Sequence, residues 1–288
     1  MSAPAALAST IRVKPRARRV LPGFTLTMGL TLTYLGVLVL LPLVALVLKA
    51  ADIGWAGFVQ VLTSPRVIAS LQLTIGAAVI ATAFNAVYGL LMAWILVRYD
   101  FPGKRIIDAL VDLPFALPTA VAGVALTALF ANNGWYGQWL EAAGIQVVYT
   151  LSGVALAMAF TSVPFVIRTV QPVLEDLDPQ IEEASATLGA YPGTVFRRVI
   201  LPAIAPAYLA GCSLAFARSL GEFGAVVFIA GNLPFKTEIA ALLIFIRLEE
   251  FDYPAAATVA AVLLALAFVI LFATNVLQAH WQRRTRSS

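Results

Sequence analysis

Five stretches of this chain run without a charged residue: between Arg19 and Lys49, Arg66 and Arg98, Asp112 and Glu141, Glu141 and Arg168, and Asp252 and Arg283. A hydrocarbon core about 30 Å thick needs about 20 apolar residues of helix, and each run is long enough to supply one. A sixth run, from about Ile204 to Gly231, is apolar apart from Arg218 and Glu222. Charged residues are only 12% of the 288 and hydrophobic ones 61%, where a soluble domain carries roughly 25% charge. The chain therefore reads as an all-α integral membrane protein. Its pattern predicts six transmembrane helices, at 23–48, 69–97, 110–131, 147–169, 204–231 and 254–279. The apolar run Ile239 to Ile246 is too short to span and predicts a short helix at or dipping into the membrane surface.

Orientation follows from the Lys and Arg residues. With both termini cytoplasmic, the inside segments hold 14 of them (Arg12 to Arg19, Arg98 to Arg105, Arg168 to Arg198, Arg283 to Arg286). The outside loops then hold four (Lys49, Arg66, Lys236, Arg247), which is the asymmetry of the positive-inside rule. The basic first 20 residues precede no short apolar core with a cleavage site, so the first run reads as a retained helix rather than a signal peptide.

Several chemistries are closed off. Cys212 is the only thiol and reads as a small packing residue; His280, the only histidine, ends the last helix, so no histidine metal cluster or Ser/His pair is available in the membrane. Gly103-Lys104 lacks the upstream glycine of a phosphate-binding loop and is followed by Arg105.

Against this apolar background stands EEASATLGAYPGTVFRRVILP, residues 182–202, on the cytoplasmic side. Asp178-Pro179 makes a helix start, with Asp as N-cap and Pro at the first helical position, and Gly189 is a natural stop. Pro192 allows a second short helix, ending at Leu201-Pro202 where the next span begins. Ala184, Ser185 and Ala186 keep the surface low enough for another protein's groove, and Glu183 offers an acceptor. On chemistry alone the stretch is equally an ordinary amphipathic hairpin.

The spacing of Glu183-Ala184-Ser185, Gly189 and Val199-Ile200-Leu201-Pro202 resembles the cytoplasmic signature of inner-membrane permease subunits of bacterial ABC importers: E-A-A, three residues, Gly, nine residues, I-x-L-P. Ser185 replaces Ala and Val199 replaces Ile. The stretches 111–135, 216–243 and 248–260 resemble the sulfate/thiosulfate permeases, and within them the T subunits rather than their W partners; parts are shared with permeases for molybdate and related oxyanions.

The resemblance implies a type I (MetI-like) permease fold over 21–280, between basic tails at 1–20 and 281–288, with a coupling helix in the hairpin 178–202. It implies that Glu183, Ala184, Ser185, Gly189, Val199, Leu201 and Pro202 dock an ATPase dimer. That dimer would hold the ATP and Mg, leaving this chain without a cofactor, a metal or an enzymatic activity of its own. The other implied partners are a W-type permease subunit, a periplasmic sulfate/thiosulfate-binding protein and membrane lipid, but no nucleic acid. The implied location is the bacterial inner membrane, and the implied function is import of sulfate or thiosulfate.

Carrying a dianion through hydrocarbon requires a wet or dipole-lined path. Two features could serve. One is Arg218, Ser219 and Glu222 in the fifth span. The other is the third span's opening, where Pro114, Pro118 and Thr119 interrupt the hydrogen-bond ladder. Arg218 and Glu222, four residues apart, either neutralise each other on one helix face or line a path. The prolines are either packing kinks or ligand sites. Trp135, Tyr136 and Trp139 read as an interfacial anchor. An ion-coupled secondary transporter would want an intramembrane carboxylate cluster and an internal repeat, and neither is evident. A metal-dependent lipid-phosphate transferase would want clustered acids, and Asp108 and Asp112 read more simply as a solvated pair favoured by the helix dipole.

Overall fold

The computed structural model describes residues 23–286, with side chains through residue 276; the expected N-terminal tail over 1–20 lies outside that range, as do residues 287–288 and the side chain of His280. The described residues form helices joined by turns and short irregular connections, with no strand. In order they form α1 (Phe24–Ala51), α2 (Gly54–Leu62), α3 (Pro65–Arg98), α4 (Lys104–Val111), α5 (Leu113–Ala116), α6 (Thr119–Phe130) and α7 (Gly137–Ala142). There follow α8 (Leu151–Glu175), α9 (Pro179–Thr187), α10 (Pro192–Val195), a π-helical turn (Phe196–Ile200), α11 (Leu201–Leu220), α12 (Gly224–Ile229), α13 (Ala240–Glu249) and α14 (Tyr253–Arg286). The chain divides inside α1, at Ala45, into two compact units, and the packing and sites described below lie in the second.

Among the described residues, five helices are long and apolar enough to cross a membrane: α1, α3, α8, the continuous Pro192–Leu220 and Tyr253–Val276 of α14. Five of the six predicted spans thus meet a long helix, two of them shifted, and one does not. The span expected at 110–131 is three helices. Leu117 precedes a proline and is extended (ψ 134°), which ends α5, while α6 has 12 residues and, at about 18 Å, falls short of a hydrocarbon core. The span expected at 204–231 starts earlier, at Pro192, and stops at Gly221. The fourth, expected at 147–169, is displaced to Leu151–Glu175, because Arg168 does not end the helix but is paired inside it.

Helix α8 is the hub, packed along α3 on one side and α11 on the other, with 67% of its apolar window buried. The inward row of α3 (Ser70, Thr74, Ala77, Ala81, Asn85, Gly89, Ala93) is made of small residues at helical spacing, so backbones approach closely. A methyl group on Gly89 would stand 2.8 Å from Val166 Cβ, and one on Gly211 of α11 would stand 2.9 Å from Val166 Cα. The run predicted as a surface helix is α13, which packs one face on α3 and α14 with Ala240 and Leu243 fully covered.

The two short apolar pieces, α6 and α12, pack on each other backbone to backbone, a side chain on Gly123 having its nearest neighbours in Ala225, whose Cα would be 2.8 Å away. Because that neighbour is main chain, it cannot swing aside. Gly123→Val is expected to lower stability by about 1–3 kcal/mol and reduce the yield of monodisperse protein in detergent, measured by thermal unfolding and size exclusion. Unchanged melting would contradict this packing.

Candidate functional site

Helix α9 is built as its ends require. Asp178 Oδ1 accepts from Gln180 N at 2.9 Å and Pro179 opens the helix. At the other end Gly189 takes φ +80°, Gly189 N donates to Ala186 O at 2.9 Å and Ala190 N to Ser185 O at 3.1 Å. This is the paired carbonyl closure of a left-handed C-cap. The chain restarts at Pro192, but the second short helix does not stop at Leu201-Pro202: it passes through the π turn into α11 without interruption. Leu201 N donates to Phe196 O, five residues back. The wider turn accommodates Pro202, which has no N–H and whose ring would collide with the carbonyl four residues back in a regular helix.

The hairpin sorts its residues into two groups. Glu183, Ala184 and Gly189 are exposed, and Glu183 has no hydrogen bond or ion pair among the described residues. Beside them Leu188 and Tyr191 are 88% and 81% exposed. Ser185 is half-buried, its hydroxyl donating to Ile181 O at 2.7 Å. Val199 and Leu201 pack partly against the cluster formed by α3, α8 and α11, and Pro202 is half-buried in the same helix. Glu182, next to Glu183 but half-buried, accepts from Arg98 NH2 at the end of α3. The Arg98 guanidinium lies 5.6 Å from the centre of the Trp94 ring, and Trp94 meets Phe196 of the π turn edge-on at 5.4 Å.

The second group of expected residues surrounds the two helix breaks, which the structure brings together. Pro114 lies in α5, buried, and lines a cavity of about 360 Å³ with Asn85, Tyr88, Met92 and Phe160. Pro118 is the N-cap position of α6 and offers no side-chain acceptor, so the amides of its first turn lack a side-chain cap. Thr119 packs its hydroxyl against Gly224, the first residue of α12. Glu222 sits in the other break, 1% exposed, its Oε1 accepting from Ala225 N at 2.9 Å and its Oε2 2.7 Å from Arg218 NH1. The Arg218 side chain remains 33% exposed. Ser219 is fully buried and shares its hydrogen between Ala215 O (2.8 Å) and Ser162 Oγ (3.1 Å). Ser162 also accepts from Asn85 Nδ2 at 2.8 Å, which joins α11, α8 and α3 in one polar chain.

Sequence reasoning missed the arginine clamps. Arg168 places all five of its N–H groups: Nε and NH2 on Asp112 (2.8 and 2.7 Å), NH1 on Asp108 and Gln171 (2.7 Å each) and NH2 on Asp108 O (2.8 Å). Asp108 and Asp112, expected as a solvated pair, do remain 40% and 51% exposed, and Arg168 holds them as well. Arg66 makes a fork to Glu238 at 2.8 and 2.7 Å, and Glu238 is 1% exposed. Only the positions of these charges at predicted span ends could have hinted at partners. Among the described residues no group of His, Cys, Asp or Glu could hold a metal ion.

Apolar crossings, two apposed helix breaks and one exposed polar hairpin make up a multi-pass membrane subunit. Residues 85–287 match the binding-protein-dependent transport system inner membrane component, and the chain belongs to that family. It is 56% identical to the sulfate transport system permease protein CysT of Escherichia coli over 93% of this chain and 97% of that one, and 57% identical to the Salmonella typhimurium protein of the same name over the same shares. The CysT of Synechocystis is 48% identical over 88% of each chain. Among solved structures, a chain of a bacterial alginate ABC transporter superposes with TM-score 0.72 at 17% identity over 91% of this chain and 95% of that one. A chain of a methionine ABC transporter gives 0.59 at 17% identity over 75% and 95%. These two share the fold.

Glu222 has two tasks, countering Arg218 and capping α12, whereas Arg218 has one. In detergent Arg218→Gln, which strands the buried Glu222 carboxylate, and Glu222→Ala, which uncaps α12 and strands a part-exposed guanidinium, are each expected to lower the melting temperature, the loss being about 3 kcal/mol for the stranded buried charge. The double variant Arg218→Gln, Glu222→Gln should recover most of it, because a glutamine oxygen still accepts from Ala225 N. A double variant as unstable as Glu222→Ala would refute the division.

Proposed function

We propose that this chain is a transmembrane permease subunit of an ATP-driven importer of sulfate and thiosulfate. The observation that carries the reading is its 56% identity to the Escherichia coli sulfate permease over nearly the full length of both chains. The chain works in the bacterial inner membrane with both termini in the cytoplasm. Its partners are a second, W-type permease subunit, a periplasmic anion-binding protein and an ATPase dimer that holds ATP and Mg. The coupling helix is α9, and its docking face is Glu183, Ala184, Leu188 and Gly189, with Tyr191. What supports this is a helix capped at both ends that leaves a carboxylate without a partner and two large side chains almost fully exposed outside the apolar spans. The anion passes by the break at Pro118-Thr119, where uncapped helix amides and their dipole favour negative charge. The other break is less suited, since Glu222 already occupies the start of α12.

Two outcomes are expected from proteoliposomes holding the whole importer. Sulfate and thiosulfate should be taken up and should compete with each other, with molybdate a weaker competitor; preference for molybdate would overturn the anion assignment. Glu183→Ala removes a charge-assisted contact of about 1.5–3 kcal/mol and should weaken ATPase retention by tenfold or more at unchanged membrane insertion. Gly189→Val, in a left-handed position that costs a side chain about 1–2 kcal/mol, should do the same, and Gly189→Asn less. Normal retention in the Glu183→Ala, Gly189→Val double variant would show the hairpin to be only a loop.

A further inference from the structure

We infer that Arg98 is a positioning residue for transport: through Glu182 it ties the docking helix to the membrane span α3, so that a displacement of α9 moves the span instead of being absorbed by the hairpin. The inference rests on the reading of α9 as the segment that meets the ATPase. It starts from how loosely α9 is otherwise held. No residue of α9 is buried. Its remaining side-chain hydrogen bonds are local: Asp178 to Gln180 N, Ser185 to Ile181 O and Thr187 to Ala184 O. Among the described residues, the single side-chain hydrogen bond or ion pair from α9 to another helix is Arg98 to Glu182. Without it, α9 hangs on its two chain connections.

The other end of the link is stiff. Arg98 is the last residue of a 34-residue helix and rests on the Trp94 ring one turn earlier, which itself meets Phe196 in the π turn. Its Nε is buried without a hydrogen-bond partner among the described residues, and its NH2 donates to the Glu182 carboxylate. From there α3 is packed along its length on α8, with Gly89 against Val166. Asn85 donates to Ser162 at 2.8 Å, Ser219 donates to Ser162 at 3.1 Å, and Ser219 lies one residue after Arg218, whose partner Glu222 fills the α11–α12 break. Bonded and packed contacts thus run from α9 to the α11–α12 break, whose Gly224 lies against Thr119 of the break by which the anion is proposed to pass. A helix docked at Glu183 but unlinked at Glu182 could still bind the ATPase, yet its motion would be lost in the hairpin.

The test uses the complete importer in proteoliposomes, with radiolabelled sulfate uptake and ATP hydrolysis measured together and ATPase retention measured by co-purification. Arg98→Glu and Glu182→Arg are each expected to keep the ATPase subunit but to lower sulfate transported per ATP hydrolysed by about tenfold, within the range of allosteric couplings. The exchanged pair, Arg98→Glu with Glu182→Arg, is expected to restore the ratio to within about threefold of wild type. A wild-type ratio in either single variant, or an exchanged pair as poor as the singles, overturns the inference. Should a single variant lose the ATPase, the chain with Cys212→Ala, Arg98→Cys and Glu182→Cys decides. Recovery of the ratio on bridging the two thiols with a short cross-linker upholds the link, and no recovery overturns it. Glu183→Ala is the separate arm: unchanged ATPase retention and uptake there defeats the docking reading itself, whatever Arg98 does.

Discussion

A hydrocarbon interior offers no partner to a backbone N–H or C=O, so every interruption of a helix there must be satisfied from within the protein, at a cost of several kcal/mol for each group that is not. This chain interrupts its helices twice, and much of its polar architecture answers that constraint. The first break, around Asp112 to Pro118, is held by Arg168 on α8, which binds both aspartates and the Asp108 carbonyl at once. The second, at Gly221 to Phe223, is closed by its own side chain, Glu222, lying back on the amide of Ala225. The pieces after each break, α6 and α12, then lie against each other where Gly123 and Gly224 leave room for main chain.

Charge and depth are sorted accordingly. The forks Arg66–Glu238 and Arg168–Asp112 and the pair Arg98–Glu182 each have at least one member at or beside a helix end. The middle of α3 and α8 is joined by hydroxyls and one amide, the groups that cost least to enclose when they have partners. Arg218–Glu222 departs from this sorting, and it sits where the helix is already broken.

The sequence displayed the class of fold plainly, because an uncharged run of spanning length has few soluble alternatives. Helices α1, α3 and α14 were legible from charge-free runs alone. The ends of α9 were legible too: Asp178-Pro179 and Gly189 act through local backbone chemistry that does not depend on what surrounds them. What could not be read was anything set by distant partners. Pro114 and Pro118 announced a disturbance without saying whether the helix would kink or divide. Arg168 looked like the end of a span because its five acceptors come mainly from residues some sixty positions earlier. Pro202 looked like a helix start, whereas the wide turn before it lets the helix run on.

Two adjacent glutamates, Glu182 and Glu183, have different surroundings on one short helix: the first meets Arg98 and the second is exposed. Successive residues on a helix are turned by about 100°, so the capping residue Asp178 sets the phase of both. Losing or gaining one residue between the cap and Glu182 would turn the pair by that angle and bring a different residue opposite Arg98. The segment is thus keyed: length between cap and glutamates, as much as their charge, decides which carboxylate is kept inside and which is offered outward. Substituting a residue of this segment alters one contact, whereas inserting or deleting one shifts every contact after it.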